Sequence, residues 1–128
     1  MPNPGRRTMI GMWQAMVLDC QDPAPLASFY QELLGMVQVQ ADADGSWIGI
    51  GDAQDRPALA FQRVEEYTRP DWPGQEFPQQ AHIDVRVQDL DVAETEVLAL
   101  GATATGRGGS SFRVYLDPQG HPFCLVAW

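Results

Sequence analysis

The sequence contains no lysine, so its 8 basic residues are all arginine and stand against 17 acidic residues. The formal net charge of −9 argues against a general affinity for nucleic acid or anionic membranes, because both need a basic face that engages phosphates. A small anionic ligand stays compatible with this charge, since one well-placed arginine binds a carboxylate through two hydrogen bonds. The partner that we expect is therefore a small molecule, with no nucleic acid and no membrane.

Long apolar runs and cysteine clusters are absent as well. No stretch approaches the roughly 18 apolar residues of a transmembrane helix, and the N-terminal sequence MPNPGRRTMIGMW lacks the apolar segment of a secretory signal. The two cysteines, Cys20 and Cys124, lie far apart and form no disulfide framework. We expect them to be buried, reduced thiols in a cytoplasmic protein.

The chain does contain an internal repeat. Residues 14–35 read QAMVLDCQDPAPLASFYQELLG and residues 80–101 read QAHIDVRVQDLDVAETEVLALG, an offset of about half the chain. A long repeat present only twice indicates two fused supersecondary modules, because a solenoid needs about three or more units. Aligning the copies on Asp22 and Asp89 places His82 opposite Ala15.

Each copy predicts one strand, one helix and three short strands. Asp22 and Pro23 are typical of a helix start and Gly35 of a helix end. The first module is predicted to have a strand at 12–20, this helix, and strands at 36–41, 46–51 and 57–64. The second is predicted to have a strand at 81–87, a helix at about 90–100, and strands near 102–106, 111–116 and 122–127. We expect a single domain over residues 1–128, with module one at about 10–64, a proline-rich connection at about 65–80 and module two at about 81–128.

Alternation along the strands predicts a polar group on one face of the sheet. In the strand 81–87 the residues Ile83, Val85 and Val87 point to one side, beneath the helices, and their neighbours point to the other. A mostly apolar hollow with a few convergent polar groups is typical of a small-molecule site. We predict that a ligand pocket on this open face is lined by His82, Asp84, Arg86, Asp19, Trp47, Phe61 and Cys124.

Several of these side chains allow a structural and a functional interpretation. His82 is either a hydrogen-bonded pocket histidine or a general base, since an imidazole near pH 7 accepts a proton. Asp84 and Arg86 either form an ion pair, or Arg86 or Arg113 binds a substrate carboxylate. Cys124 is either inert and buried or a nucleophile paired with His82. The aromatic segment 67–77 is the candidate lid, and His121 is expected to be exposed in a turn.

The repeated motifs resemble the vicinal oxygen chelate superfamily, which includes glyoxalase, bleomycin-resistance proteins and extradiol dioxygenases. The resemblance rests on Asp22-Pro23, Phe29-Tyr30, His82-Ile-Asp-Val and Asp117-Pro-Gln-Gly-His-Pro-Phe. The ending Gly-His-Pro-Phe-Cys-Leu is similar to that of the glyoxalase-like branch. The resemblance implies an α+β fold in which two βαβββ modules form a curved, mostly antiparallel eight-stranded sheet around a central cavity, with helices outside and frequently as a homodimer.

The resemblance also implies where a metal would be bound. The family positions fall at Ala15, at Ala60 or Gln62, at His82 and at Cys124, where a glutamate would be expected. Alanine carries no donor atom, whereas a catalytic zinc site needs about three protein ligands. We therefore expect no cofactor and no metal, and a divalent metal would require Asp84, Asp19 or residues of a dimer partner.

Three functional hypotheses follow from these residues. The first is a metal-free protein that binds a small, partly aromatic or apolar molecule in the cavity, as bleomycin-resistance proteins of the superfamily do. The second is an enzyme, either a lyase/isomerase or dioxygenase with a rearranged metal site, or an acid–base catalyst that uses His82. The third is an interaction domain whose cavity is filled by its own side chains.

Overall fold

The computed structural model of the protein describes residues 10–127, in which one order of elements occurs twice. The first module contains β1 (Met16–Cys20), α1 (Pro23–Leu34), β2 (Val37–Ala41), β3 (Trp47–Ala53) and β4 (Arg56–Arg63). The second contains β5 (Ile83–Arg86), α2 (Leu90–Ala99), β6 (Thr103–Gly108), β7 (Phe112–Leu116) and β8 (Pro122–Val126). The predicted α+β class with two βαβββ modules is confirmed.

Both helices begin at the repeated aspartate. The Asp22 carboxylate accepts a hydrogen bond from the backbone N–H of Ala24, and the Asp89 carboxylate accepts from two backbone N–H groups at the start of α2. These bonds satisfy backbone donors that have no partner inside a helix. After α1, Gly35 adopts a φ of 66°, a left-handed conformation that glycine takes without steric cost.

Each module forms its own four-stranded sheet, with strand orders β1-β4-β3-β2 and β5-β8-β7-β6. The first strand of each module pairs in parallel with the last strand of the same module, and the remaining pairs are antiparallel. The structure differs from the expectation in two details. The eight strands form two sheets instead of a continuous one, and β1 begins at Met16, so that Ala15 precedes it.

One hydrophobic core joins the helix-covered faces of both sheets. The Tyr30 ring of α1 stacks on Phe61 of β4 at 5.6 Å between centroids and lies 6.4 Å from Phe123 of β8. The prediction that Phe61 lines a ligand pocket is wrong, because this side chain is fully buried in the core beneath α1. The opposite, open face of each sheet points away from the shared core.

Neither of the two helices among residues 10–127 is long and apolar enough to cross a membrane.

Candidate functional site

A hollow of about 680 Å³ lies between β1, the connection that follows β4, and the turn that precedes β8. We call it the β1 cavity. Val17 and Asp19 of β1 form one wall, Tyr67 and Phe77 of the connection form another, and His121 closes the end. This volume falls within the range of roughly 300–1,000 Å³ that is typical of small-molecule sites, and the walls combine apolar and polar groups as such sites do.

Hydrogen bonds fix the orientation of His121 in this cavity. Its Nε2 atom lies 2.6 Å from the backbone oxygen of Asp19 and 3.3 Å from the Tyr67 hydroxyl. A carbonyl oxygen only accepts, so Nε2 must carry a proton and the neutral ring has its lone pair on Nδ1. The prediction that His121 is exposed is wrong, because the side chain is partly buried against β1 and Tyr67.

Tyr67 is held in place at the same end of the cavity. Its hydroxyl donates to the backbone oxygen of Gln119 at 2.6 Å. Burial, with a smaller contribution from the Asp117 charge, raises the pKa of Tyr67 to about 12. The phenol therefore stays protonated at neutral pH and keeps its donated hydrogen bond.

Asp117 positions the turn before β8, a role that its sequence motif did not reveal. The carboxylate is buried, and its Oδ1 accepts from the backbone N–H groups of Gln119 at 2.8 Å and His121 at 3.0 Å. Its Oδ2 accepts from the Tyr30 hydroxyl at 2.7 Å. Burial raises the pKa of Asp117, although these hydrogen bonds oppose the shift. The aspartate thereby ties the turn that carries His121 to the centre of the core.

The charged side chains that line the β1 cavity are acidic. They are Asp19, Glu66 and Glu76, and none of the described lining residues is an arginine. Arg69 of the same connection donates to the backbone oxygen of Pro118 and is not part of the lining. The cavity therefore offers aromatic surface together with negative charge.

A second group of polar side chains lies on the open face of module two. His82 Nε2 is 3.2 Å from Asp84 Oδ1, and one donor atom from each of His82, Asp84 and Cys124 lies within 4.8 Å of the other two. Asp84 and Cys124 are partners across the parallel β5–β8 pair. This His82–Asp84–Cys124 cluster is on the face that strand alternation predicts, and it lies outside the β1 cavity.

The cluster combines two exposed groups with one buried thiol. The side chains of His82 and Asp84 are 43% and 57% exposed, whereas Cys124 is 8% exposed. Burial raises the pKa of Cys124 to about 11, and the charge and hydrogen bond of Asp84 add to the shift. The thiol is consequently protonated at neutral pH, which makes it a poor nucleophile.

The connection between the modules contacts both the β1 cavity and the His82–Asp84–Cys124 cluster. While Tyr67 and Phe77 line the β1 cavity, Trp72 packs against Val114, Cys124 and Val126 on the open face of module two. The segment predicted as a lid thus supplies side chains to the β1 cavity and to the surroundings of Cys124, and its role as a lid stays a prediction.

The remaining predicted residues lie elsewhere. Trp47 donates from its indole nitrogen to the Gln40 side chain at 3.1 Å, and Arg86 borders a separate hollow beside Val87 and Ala127. Their role in ligand binding stays a prediction. Arg113 is 2.7 Å from Asp91 and 3.6 Å from a Glu94 oxygen, both on α2. Arg113 is therefore paired with carboxylates of α2, and its binding of a substrate carboxylate stays a prediction.

The metal positions implied by the resemblance can be tested against the structure. Ala15 and Ala60 carry no donor atom, and Gln62, the alternative to Ala60, lies on β4 in the sheet of module one, whereas Cys124 lies on β8 in the other sheet. The four-position set therefore does not fit a metal ion. His82 and Cys124 do come together, with Asp84 as a third donor. Nitrogen, oxygen and thiolate ligands at one point suit a borderline ion such as zinc.

Paired βαβββ modules with open sheet faces define the class of protein. The family model described as the glyoxalase-like domain matches residues 15–126, and the chain belongs to this family, within the vicinal oxygen chelate superfamily. No curated protein matches the sequence.

Solved structures share the fold at low sequence identity. A glyoxalase/bleomycin resistance protein/dioxygenase family enzyme from Burkholderia phytofirmans is 14% identical, with a TM-score of 0.65 over 89% of this chain and 96% of its own. A hypothetical protein from S. aureus is 19% identical, with a TM-score of 0.64 over 94% and 100% of the two chains. A variant of the fosfomycin resistance protein FosX from Listeria monocytogenes, complexed with Mn(II) and a dihydroxypropylphosphonic acid, is 14% identical, with a TM-score of 0.67 over 93% and 90%.

Proposed function

We propose that the protein binds a small organic molecule in the β1 cavity and does so without the metal arrangement of its superfamily. The observation that carries this proposal is the cavity itself, about 680 Å³ in volume and lined by Asp19, Tyr67, Phe77 and His121. Its size matches a small-molecule site. The positions from which the superfamily would bind a metal do not line it.

The walls favour a particular class of ligand. Val17, Tyr67 and Phe77 offer apolar and aromatic surface for a ring, while Asp19, Glu66 and Glu76 supply negative charge. FosX from Listeria monocytogenes holds a phosphonic acid, but an anion of that kind would be repelled here because like charges at close range raise the energy. A neutral or cationic molecule with an aromatic body matches the cavity better.

His121 gives the cavity a defined hydrogen-bonding group. Because Nε2 donates to the Asp19 carbonyl, Nδ1 is the acceptor of the neutral ring. We propose that this atom, or the neighbouring carboxylates, accepts a hydrogen bond from an N–H or O–H group of the ligand. The aromatic rings would bind the apolar part.

A matched pair of probes tests the proposal. Binding of 1-naphthylmethylamine and of 1-naphthoic acid should be measured by calorimetry on the full chain, since the two share a ring and differ in charge. We expect the amine to bind more tightly. We expect His121→Gln to weaken its binding by about tenfold, the loss of roughly one net hydrogen bond of about 1.4 kcal/mol.

The chain supplies its own control, because it contains only two histidines. His82→Gln changes the one that lies outside the β1 cavity and should leave binding of the amine unchanged. Equal losses in both variants, or tighter binding of the acid than of the amine, would overturn the proposal. Circular dichroism establishes that both variants are folded.

The structure bears on one of the two other functional hypotheses, the interaction domain. A cavity of this volume counts against an interaction domain whose hollow is filled by its own side chains. The enzymatic hypothesis, the homodimer and the cytoplasmic location stay predictions.

A further inference from the structure

We infer that His82, Asp84 and Cys124 form a binding site for one divalent transition-metal ion, with zinc the ion that matches the donors best. The nitrogen, oxygen and sulfur atoms concerned lie within 4.8 Å of one another. The site is separate from the β1 cavity, since none of the three residues lines that cavity.

The β5–β8 pair, together with the residue that precedes β5, brings the three donors close to one another. Asp84 is the direct partner of Cys124 in the β5–β8 pair, and His82 is two residues before Asp84, on the same side of the chain. Zinc takes nitrogen or oxygen at roughly 2.0–2.1 Å and sulfur at roughly 2.3 Å, which puts the ligand atoms of a tetrahedral site with one sulfur about 3.3–3.6 Å apart. The 3.2 Å between His82 Nε2 and Asp84 Oδ1 is close to this range. Small rotations of exposed side chains would complete the geometry.

The chemistry of the donors selects against harder ions. Magnesium and calcium take oxygen ligands almost exclusively, and this cluster offers a single carboxylate. Imidazole and thiolate favour zinc or its spectroscopic substitute cobalt. Binding should release a proton from Cys124, because the thiolate and not the thiol is the ligand.

The proposed site is apolar on one side and open to solvent on the other. Trp72, Val114 and Val126 pack around Cys124, whereas His82 and Asp84 are exposed to solvent. An ion can therefore reach the thiol from the solvent side, and three protein ligands leave a fourth position to water. The whole site lies in module two and its connection. It does not depend on Ala15 or Ala60, the donorless positions of module one.

Cobalt titration of the full chain tests this inference. The protein is purified without chelators, kept reduced with a phosphine and titrated with Co(II) while the absorption spectrum is recorded. We expect a near-ultraviolet thiolate-to-cobalt band that saturates at a single equivalent and disappears when zinc is added. Magnesium should not compete.

Matched variants assign the band to its ligands. Cys124→Ala should abolish the band, and Cys20→Ala should retain it, because Cys20 is buried on the helix-covered face of the other module. His82→Ala should weaken cobalt binding by roughly 100-fold or more, since loss of even an outer-shell partner costs about 10–100-fold. His121→Ala should leave cobalt binding unchanged.

Failure of this inference is distinguishable from failure of the proposed function. Absence of the thiolate band, or a band that survives Cys124→Ala, would overturn the metal site without affecting binding of the amine probe. If Cys124→Ala does not fold, His82→Ala and Asp84→Asn change exposed side chains and answer the same question. Cobalt binding that is equal in wild type and in both of these variants would also overturn the inference.

Discussion

Asp117 shows how one buried carboxylate serves both the core and the candidate site. It accepts from Tyr30 in α1 and from two backbone N–H groups of the turn that carries His121. A charge in such a place has a desolvation cost that the hydrogen bonds offset, and the net result is a raised pKa. Asp117 therefore stabilises the fold through the hydrogen bonds that its oxygens accept and not through its charge.

The variant Asp117→Asn removes the negative charge of this side chain but keeps an oxygen that accepts hydrogen bonds. The amide oxygen can keep both backbone bonds and the amide nitrogen can donate to the Tyr30 hydroxyl, but the Tyr30 O–H then loses its acceptor. We therefore expect the variant to fold and, at pH 7, to lose less stability than Asp117→Ala. Asp117→Ala leaves the three donors without an acceptor and should lower the free energy of unfolding by about 2–4 kcal/mol. Urea unfolding of the three proteins provides the measurement.

The raised pKa of Asp117 gives this comparison a pH dependence with a definite sign. Its stabilising contribution is fully present below the unfolded pKa of about 4 and is lost as pH rises through the higher folded value. Wild type should therefore gain stability relative to Asp117→Asn as pH falls from 7 toward 4. A constant difference between the two proteins over this interval would contradict the assignment.

At the scale of elements, the repeated N-caps allow a comparison within one chain. The Asp89 carboxylate accepts from the N–H groups of Asp91 at 2.9 Å and Val92 at 3.1 Å, whereas the Asp22 carboxylate accepts only from Ala24 at 3.4 Å. The cap of α2 is therefore made of more and shorter bonds than the cap of α1.

Replacing each cap by alanine should reproduce this difference. We expect Asp89→Ala to lower the free energy of unfolding by about 1–2 kcal/mol and Asp22→Ala by about 0.5 kcal/mol, the two ends of the measured range for N-caps. Chemical denaturation of the two variants measures both losses. The reverse order would mean that burial of α1, and not cap geometry, decides the cost.

The same elements show what the sequence could predict. Helix caps and the alternation of β5 depend on neighbours within a few residues, so the helix starts and the shared face of His82 and Asp84 were predictable. Phe61 lies in the run Ala58–Phe61, in which every residue is apolar. Without a polar side, the sequence does not show which face of this strand the helices cover. The core position of Phe61 depends on Tyr30, an aromatic partner from another element.

His121 and the β1 cavity needed the tertiary structure. The contact of His121 with Asp19 joins residues at opposite ends of the chain, and the buried Asp117 that shapes the turn is an unusual use of a charged side chain. The motif Asp117-Pro-Gln-Gly-His was visible in the sequence, and a turn was expected there. Only the path of the connection over β1 shows that this turn closes a cavity.

For the whole molecule, the decisive feature is that the two modules share one core. Phe29 and Tyr30 of module one contact the Phe123 ring of module two, at 5.7 and 6.4 Å between centroids. The hydrogen bond from Tyr30 to Asp117 crosses the same boundary. Neither module can expose its helix-covered face without exposing that of the other.

This shared core predicts that the two modules unfold as one unit. Phe123→Ala should lower the free energy of unfolding by about 3–5 kcal/mol, because a large buried ring leaves a cavity. The loss should appear equally in native-state hydrogen exchange of β3 and β4 in module one and of β7 and β8 in module two, since global unfolding exposes all of them. Val126→Ala is the matched control on the open face of β8, where the small cluster with Trp72 should give a smaller and local effect. Loosening confined to module two in Phe123→Ala would mean that the modules fold independently and that the ring contacts do not couple them.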